Sequence, residues 1–149
     1  MIPKGHAIVT ETHVTITFAP AGSVDVLDLW DDAPIDLAGI TAFQVEPRRW
    51  WLIDADDAAL AGIAGRGAIA PIGGGLTRAA LRGARWRAAL MEGGCFDAEN
   101  PAFAPGHAAA TILHHVPVWI HVTAPDAACV YFAASYTGAM ADAWGVATP

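Results

Sequence analysis

The chain has 149 residues, of which 54% are hydrophobic and 15% are charged, and its net charge is −7. This length is enough for one domain with a buried core, and the apolar content excludes a disordered chain. The negative charge argues against nucleic acid and anionic membranes as partners, because both attract basic proteins. With no signal peptide or spanning segment recognised, and no disulfide framework from Cys95 and Cys129, we expect a cytoplasmic protein.

The low charge content also predicts a partner. Soluble domains usually carry about 25% charged residues, and large exposed apolar patches mark binding surfaces. We therefore expect an obligate subunit or an oligomer, with some of the six tryptophans at the surface. All seven arginines lie between Arg48 and Arg87, and five aspartates precede them (Asp25, Asp28, Asp31, Asp32 and Asp36). These charges either pair on the chain's own surface, which we favour, or form a patch for a partner.

Hydrophobic alternation predicts strands in the first third of the chain. In residues 8–18, Ile8, Val14, Ile16 and Phe18 share one face, and the chain could turn near Glu11–His13. Further strands are predicted at residues 24–30, 41–46 and 50–53, with Pro47 separating the last two.

Helix and turn signals dominate the middle of the chain. Asp56 is predicted to cap a short helix that turns Leu60, Ile63 and Ala64 inward and ends at Gly65. Strands at 68–72 and 76–81 are predicted to form a hairpin around Gly73–Gly75. A helix at 84–92 follows, with Trp86, Ala89 and Leu90 on one face, and Gly93-Gly94 ends it.

The last third predicts a loop at 100–106, three strands and a helix. The strands at 108–115 and 118–123 are predicted to join through a tight turn at Val116-Pro117, and a third strand covers 129–133. Ser135 is predicted to cap a final helix that ends at Gly145. Its inner stripe is spaced i, i+4, i+8: Tyr136, Met140 and Trp144.

This order of elements predicts the α+β class, because hairpins alternate with single helices. An antiparallel sheet with helices, built from ferredoxin-like split βαβ units, fits best. No internal repeat or long linker divides the chain, so we expect a single domain over residues 1–149.

Three neighbouring histidines, His114, His115 and His121, are the most obvious candidates for a metal site. In a strand, however, His114 and His115 point to opposite faces, and His115 lies about 20 Å from His121 if the chain is extended. No metal-binding spacing supports the site. We favour structural roles for them and keep a metal-dependent activity as a hypothesis.

The other reactive residues give no catalytic pattern. Gly73–Gly75 lacks the phosphate-loop sequence, and Cys95 follows a helix C-terminus, which raises a thiol pKa. Asp97 is predicted to cap a loop, with a ligand contact as the alternative. Three arginines surround a helix N-terminus (Arg82, Arg85 and Arg87); they could bind an anion, but pairing with aspartates or a partner is favoured. We therefore assign no catalytic, cofactor-binding or metal-binding residue.

A series of short motifs between Leu81 and Trp144 resembles a known family. The motifs are Arg82-Gly83-Ala84, Gly94-Cys95-Phe96-Asp97, Phe103-Ala104-Pro105-Gly106, Thr111-Ile112-Leu113, Val116-Pro117-Val118, Val130-Tyr131-Phe132 and Ser135-Tyr136. In content and spacing they resemble the gamma subunit of heterotetrameric sarcosine oxidase. The chain departs from that family at Glu92-Gly93, where a basic residue is usual, and at Arg48-Arg49, which replace an acidic pair.

The resemblance implies a fold like the folate-binding domain of aminomethyltransferases. It also implies a noncatalytic structural subunit, in a complex that oxidatively demethylates sarcosine or a related N-methyl amino acid in one-carbon metabolism. FAD, FMN, NAD and tetrahydrofolate would then be held by the larger alpha and beta subunits, and the isolated chain could self-associate. The alternative is a stand-alone folate-binding one-carbon transfer protein related to aminomethyltransferases.

Overall fold

A computed structural model describes residues 6–9, 14–94 and 96–147. The strands in these ranges are β1 (His6–Val9), β2 (Val14–Pro20), β3 (Val24–Leu29), β4 (Thr41–Glu46), β5 (Arg49–Ile53), β6 (Gly67–Pro71), β7 (Leu76–Arg82), β8 (Ala108–Leu113), β9 (Val116–Ala124) and β10 (Ala127–Ala133). The α-helices are α1 (Asp57–Ile63), α2 (Trp86–Met91) and α3 (Thr137–Trp144). Within the described residues, no helix has both the length and the hydrophobicity needed to cross a bilayer.

The chain divides into two compact units. The first, here called the six-strand unit, combines the chain up to Pro20 with the chain from Leu76 onward. The second, the four-strand unit, is Ala21–Gly75. The prediction of a single domain over residues 1–149 stays a prediction, and each unit is described by itself.

The six-strand unit is an antiparallel sheet in the order β1-β2-β7-β10-β9-β8. Alternate residues of β2 are buried, as the sequence pattern predicts, because side chains in a strand point to opposite faces. The buried face packs with residues of α2 and α3 in one core. There the Phe18 ring contacts Phe132 and Trp144 edge-on, with ring centroids 5.8 Å and 6.0 Å apart. The predicted turn at Glu11–His13 lies outside the described residues.

The four-strand unit is an antiparallel sheet in the order β4-β5-β3-β6. Strands β5 and β6 both pair antiparallel with β3, which lies between them, and α1 connects them. This arrangement is a split βαβ unit. Leu27, Leu52 and Ile63 form the centre of its core. The predicted α+β class with antiparallel strands and helices is confirmed, and the four-strand unit contains a split βαβ unit.

Two predicted helix ends are confirmed, at Asp56 and Gly145. The Asp56 carboxylate accepts a hydrogen bond of 2.7 Å from the Ala59 N–H, so it caps α1. Gly145 follows α3 with a φ of 64°, the left-handed conformation that suits glycine at a helix C-terminus. At the end of α1, however, Ala64 is exposed rather than inward, because the chain changes there to a 3₁₀ turn over Ala64–Arg66.

The predicted cap at Ser135 is wrong. Ser135 lies in a 3₁₀ turn over Ala134–Tyr136, so α3 begins one residue later than predicted, at Thr137. The Thr137 hydroxyl donates to the Ala134 carbonyl at 2.8 Å and lies 2.7 Å from the Thr77 hydroxyl. Tyr136 is 40% exposed, and the buried stripe of α3 is Met140, Ala141 and Trp144.

The predicted turn at Val116-Pro117 is also wrong, because the hairpin turns at the two histidines before it. Leu113 pairs with Val116, which leaves His114 and His115 as a two-residue loop with φ angles of 49° and 67°. Two positive φ angles define a type I′ turn, which usually takes Asn-Gly. Pro117 fits into β9 because its pair with Ile112 is the next one from the turn, a non-hydrogen-bonded pair that needs no proline N–H.

Gly73–Gly75 does not form the predicted hairpin. Its flanking strands belong to different sheets, since β6 pairs with β3 whereas β7 pairs with β2 and β10. The three glycines form a 3₁₀ turn at the boundary between the two units.

Gly67 gives a test of the close strand packing in the four-strand unit. A Cβ at this position would overlap the backbone carbonyl of Asp28, which cannot move without breaking the β3–β6 pairing. We expect Gly67→Ala to lower the free energy of unfolding by about 1–3 kcal/mol or more, measured by urea denaturation. Gly62→Ala is the matched control, because a Cβ there meets open space on α1, and it should stabilise by about 0.5–1 kcal/mol. Equal midpoints for the two variants would contradict this packing.

Candidate functional site

The histidines that suggested a metal site have separate surroundings. His114 and His115 form the β8–β9 turn, and the His114 ring contacts Trp144 edge-on at 5.9 Å between centroids. His121 is buried in β9, where it pairs with Cys129 of β10. Within the described ranges, no group of three or more histidine, cysteine, aspartate or glutamate residues is arranged to hold a metal ion.

Burial changes the ionisation of two of these histidines. It lowers the pKa of His121 and, against the opposing charge of Glu92, also the pKa of His114. The neutral imidazole is therefore the favoured form of both side chains in the folded state.

Asp97 and Cys129 show no reactive arrangement. The Asp97 carboxylate accepts from the Glu99 N–H at 3.1 Å, which confirms the predicted loop cap. Cys95 lies outside the described residues. Burial raises the pKa of the Cys129 thiol although Arg78 and Arg82 oppose this effect, so the thiolate that a nucleophile needs is disfavoured.

Arg87 supports a loop, whereas the sequence favours pairing with aspartates or with a partner. Its guanidinium lies 4.3 Å from the centre of the Trp86 ring, and it donates to the carbonyls of Ala98 and Phe103. It thereby ties the segment after α2 to the helix. Arg85 stands before α2 without a side-chain cap contact.

The motifs behind the family resemblance have structural roles in the same region. Phe96 and Phe103 contact each other edge-on at 4.9 Å between ring centroids. Gly106, with a φ of 90°, donates from its N–H to the Val122 carbonyl at 2.8 Å and so joins the loop to β9. Phe96, Phe103 and Gly106 of these motifs therefore help to pack the loop between α2 and β8.

In the four-strand unit, arginines pair with the acidic segment that precedes them. Arg49 bonds to Asp28 at 2.7 Å and to Glu46 at 2.9 Å. Arg48 and Arg66 lie 3.6 Å and 3.7 Å from Asp32 and Asp31. The favoured prediction, that the two charge groups pair on the chain's own surface, is confirmed for these residues.

Two of these arginines also fix the loop of residues 30–34, here called the Trp30 loop. The Arg66 guanidinium donates to the carbonyls of Ala33 at 2.9 Å and Pro34 at 3.1 Å. From the other side, Arg48 donates to the Trp30 carbonyl at 3.4 Å. These contacts satisfy backbone carbonyls that no strand partner reaches, and they order the loop.

Arg48, which contacts the Trp30 carbonyl, has an unusual backbone conformation. With Pro47 it forms the two-residue turn between β4 and β5, and its φ is 63°. Proline followed by a positive φ indicates a type II turn, whose second central position normally takes glycine or asparagine. A bulkier residue there costs roughly 1–2 kcal/mol, and such strain clusters at functional sites.

The Trp30 loop leaves its largest side chain in solvent and borders a cleft. Trp30 is 65% exposed, the highest value among the large hydrophobic residues of the described ranges, followed by Ile112 at 60%. The cleft holds about 300 Å³ and is lined by Leu29, Asp32, Ala33, Pro34, Ile35, Gln44, Arg48 and Trp50. Its lining is partly apolar, and charged side chains contribute to it. The expectation of a surface tryptophan is thus met at Trp30, although the sequence did not single it out.

The likeness to known proteins is structural. No protein-family model and no curated protein sequence matches the chain. Its fold is similar to a chain of the heterotetrameric sarcosine oxidase from Corynebacterium sp. U-96, solved in complex with pyrrole 2-carboxylate. The TM-score is 0.74 at 16% sequence identity, and the match covers 92% of this chain and 84% of that chain. At this identity the likeness establishes a shared fold.

The lowered pKa values of His114 and His121 predict a loss of stability in mild acid. Below about pH 6.5 the unfolded chain binds protons at these histidines more readily than the folded chain does. The free energy of unfolding therefore decreases as the pH is lowered. Urea midpoints at about pH 7.5 and about pH 5.5 measure this dependence. The double variant His114→Gln/His121→Gln should show a smaller difference in urea midpoint between the two pH values. His107→Gln serves as the single-site control. If the double variant loses as much stability between the two pH values as the wild type does, His114 and His121 do not cause the loss.

Arg66 tests whether the Trp30 loop is held by its arginines. Arg66→Met keeps the apolar stem but removes two hydrogen bonds, each with a net contribution of about 0.5–1.5 kcal/mol. We expect faster amide hydrogen exchange at Ala33, whose N–H bonds to Asp31 within the loop. Arg85→Met, at an exposed position in the six-strand unit, is the control. Unchanged exchange at Ala33 would show that Arg66 does not order the loop.

Proposed function

We propose that the chain is a noncatalytic structural subunit of a heterotetrameric sarcosine oxidase-type complex. The complex would oxidatively demethylate sarcosine or a related N-methyl amino acid. The observation that carries this proposal is the structural match, with a TM-score of 0.74 over 92% of this chain and 84% of the other. Since the match spans most of both chains, the matched chain is only slightly longer than this one. This supports a small, gamma-like subunit over a large one.

The composition of the chain supports a partner-bound state. Only 15% of its residues are charged, against about 25% in typical soluble domains, and Trp30 projects into solvent. An exposed tryptophan on an ordered loop is the kind of residue that contributes strongly to protein interfaces. The partners in this proposal are the larger alpha and beta subunits.

Three described residues suited to chemistry are used or placed structurally, which supports a noncatalytic role. Arg87 donates to backbone carbonyls, Asp97 caps a loop, and burial disfavours the Cys129 thiolate. The cleft beside the Trp30 loop, at about 300 Å³, is at the small end of ligand pockets. We therefore assign FAD, FMN, NAD and tetrahydrofolate to the partner subunits.

Co-expression tests this proposal. The chain is produced with the sarcosine oxidase-type alpha and beta subunits of the same genome, and the complex is analysed by size-exclusion chromatography and light scattering. We expect one stoichiometric complex that oxidises an N-methyl amino acid, and no turnover by the isolated chain. Separate elution of the chain from these subunits would contradict the proposal.

A folate titration of the isolated chain separates the two candidate functions. Saturable quenching of tryptophan fluorescence by tetrahydrofolate, together with one-carbon transfer by the chain alone, would support the stand-alone folate protein instead.

A further inference from the structure

We propose that the Trp30 loop and its neighbouring cleft form the docking surface for a partner segment that carries an arginine or lysine beside an aliphatic side chain. This inference rests on the proposed function for the identity of the partner, a larger subunit of the complex. The chemistry of the docked segment is argued from the surface itself.

The exposure of Trp30 is not a consequence of a loose loop. Arg66 and Arg48 hold the loop from two sides through the carbonyls of Ala33, Pro34 and Trp30. The Asp31 carboxylate adds a further bond to the Ala33 N–H at 3.0 Å. The loop is therefore ordered before any partner binds, and binding at a preorganised loop avoids much of the entropy cost of ordering it. The indole is available as a rigid anchor.

Carboxylates are the more exposed charges beside Trp30, because the side chains of their partners Arg48 and Arg66 are only 52% and 36% exposed. The side chains of Asp31 and Asp32 are 67% and 89% exposed, and their contacts with Arg66 and Arg48 are long, at 3.7 Å and 3.6 Å. Both carboxylates can accept shorter hydrogen bonds from a better placed guanidinium or ammonium group. The exposed indole adds attraction for the same cation over its ring. The net charge of −7 acts in the same direction at long range.

The cleft adds a place for an apolar side chain next to the cation. Leu29, Ile35 and Trp50 contribute apolar surface to it, and Asp32 and Arg48 line it as well. Asp32, Ala33 and Pro34 of the Trp30 loop line the cleft, so the cleft adjoins the loop that carries the indole. Its volume of about 300 Å³ fits an aliphatic side chain with part of its backbone. A short segment with adjacent aliphatic and basic residues would use both features.

Substitutions in the assembled complex test the docking surface. Trp30→Ala and Asp32→Lys should each weaken the affinity for the large subunits at least ten-fold, as measured by surface plasmon resonance. Ile112→Ala is the matched control, because it removes another exposed large hydrophobic residue from the six-strand unit. Urea midpoints verify that all three variants are folded. Wild-type affinity of folded Trp30→Ala would overturn the inference and leave the proposed function intact.

Photocrosslinking identifies the occupant in the same complex. With p-benzoylphenylalanine in place of Trp30, mass spectrometry should find a crosslinked large-subunit peptide that contains arginine or lysine. A crosslink to a second copy of this chain, or to an acidic peptide, would overturn the inference.

A peptide titration of the isolated chain decides the inference without the large subunits. The probe is acetyl-leucyl-arginine amide, and acetyl-leucyl-glutamate amide is its charge-reversed control. Two-dimensional NMR should show saturable shifts at the Trp30 indole N–H and the Ala33 amide with the arginine probe alone. The Ala33 shift should disappear in Trp30→Ala. No shift, or equal shifts with both probes, would overturn the inference even if the complex forms.

Discussion

The burial of one apolar sheet face against two short helices is the interaction on which the six-strand unit depends. Ile16, Leu81 and Phe132 come from three adjacent strands and are completely buried. Burying one such side chain contributes roughly 1.5–3 kcal/mol, far more than a surface ion pair. Neither α2, with six residues, nor α3, with eight, is long enough to be stable alone, so their packing on this face stabilises them.

Among the described residues, three arginines order loops through backbone carbonyls: Arg48, Arg66 and Arg87. Arg87 and Arg66 lie in different units, yet both donate to pairs of loop carbonyls that lack strand partners. A guanidinium suits this role because its donors form a planar fork that can reach two acceptors at once. Arg48 joins them from a turn position that disfavours its backbone conformation. In the four-strand unit, the contacts of Arg48 and Arg66 leave an ordered loop that presents Trp30 beside the exposed carboxylates of Asp31 and Asp32.

The strands and several helix ends could be predicted from the sequence because their signals are local. Period-two burial holds along β2, and Asp56 and Gly145 act at the helix ends where their chemistry is favourable. The incorrect predictions share one cause. Each assigns to a short motif the structure that this motif usually forms. Proline was expected to turn the chain, but the register of β8 and β9 places the turn at two histidines in left-handed conformations.

The sequence by itself therefore determined the α+β class and most strands, because hydrophobic alternation is a property of neighbouring residues. Only the tertiary structure decided the sheet partners of β6 and β7 and the surface around Trp30. Arg66 is 33 residues from the Ala33 carbonyl that it bonds, and Arg48 is 18 residues from Trp30. Such contacts depend on strand order, since pairing β3 with β5 and β6 brings these distant segments together. No local pattern encodes that pairing.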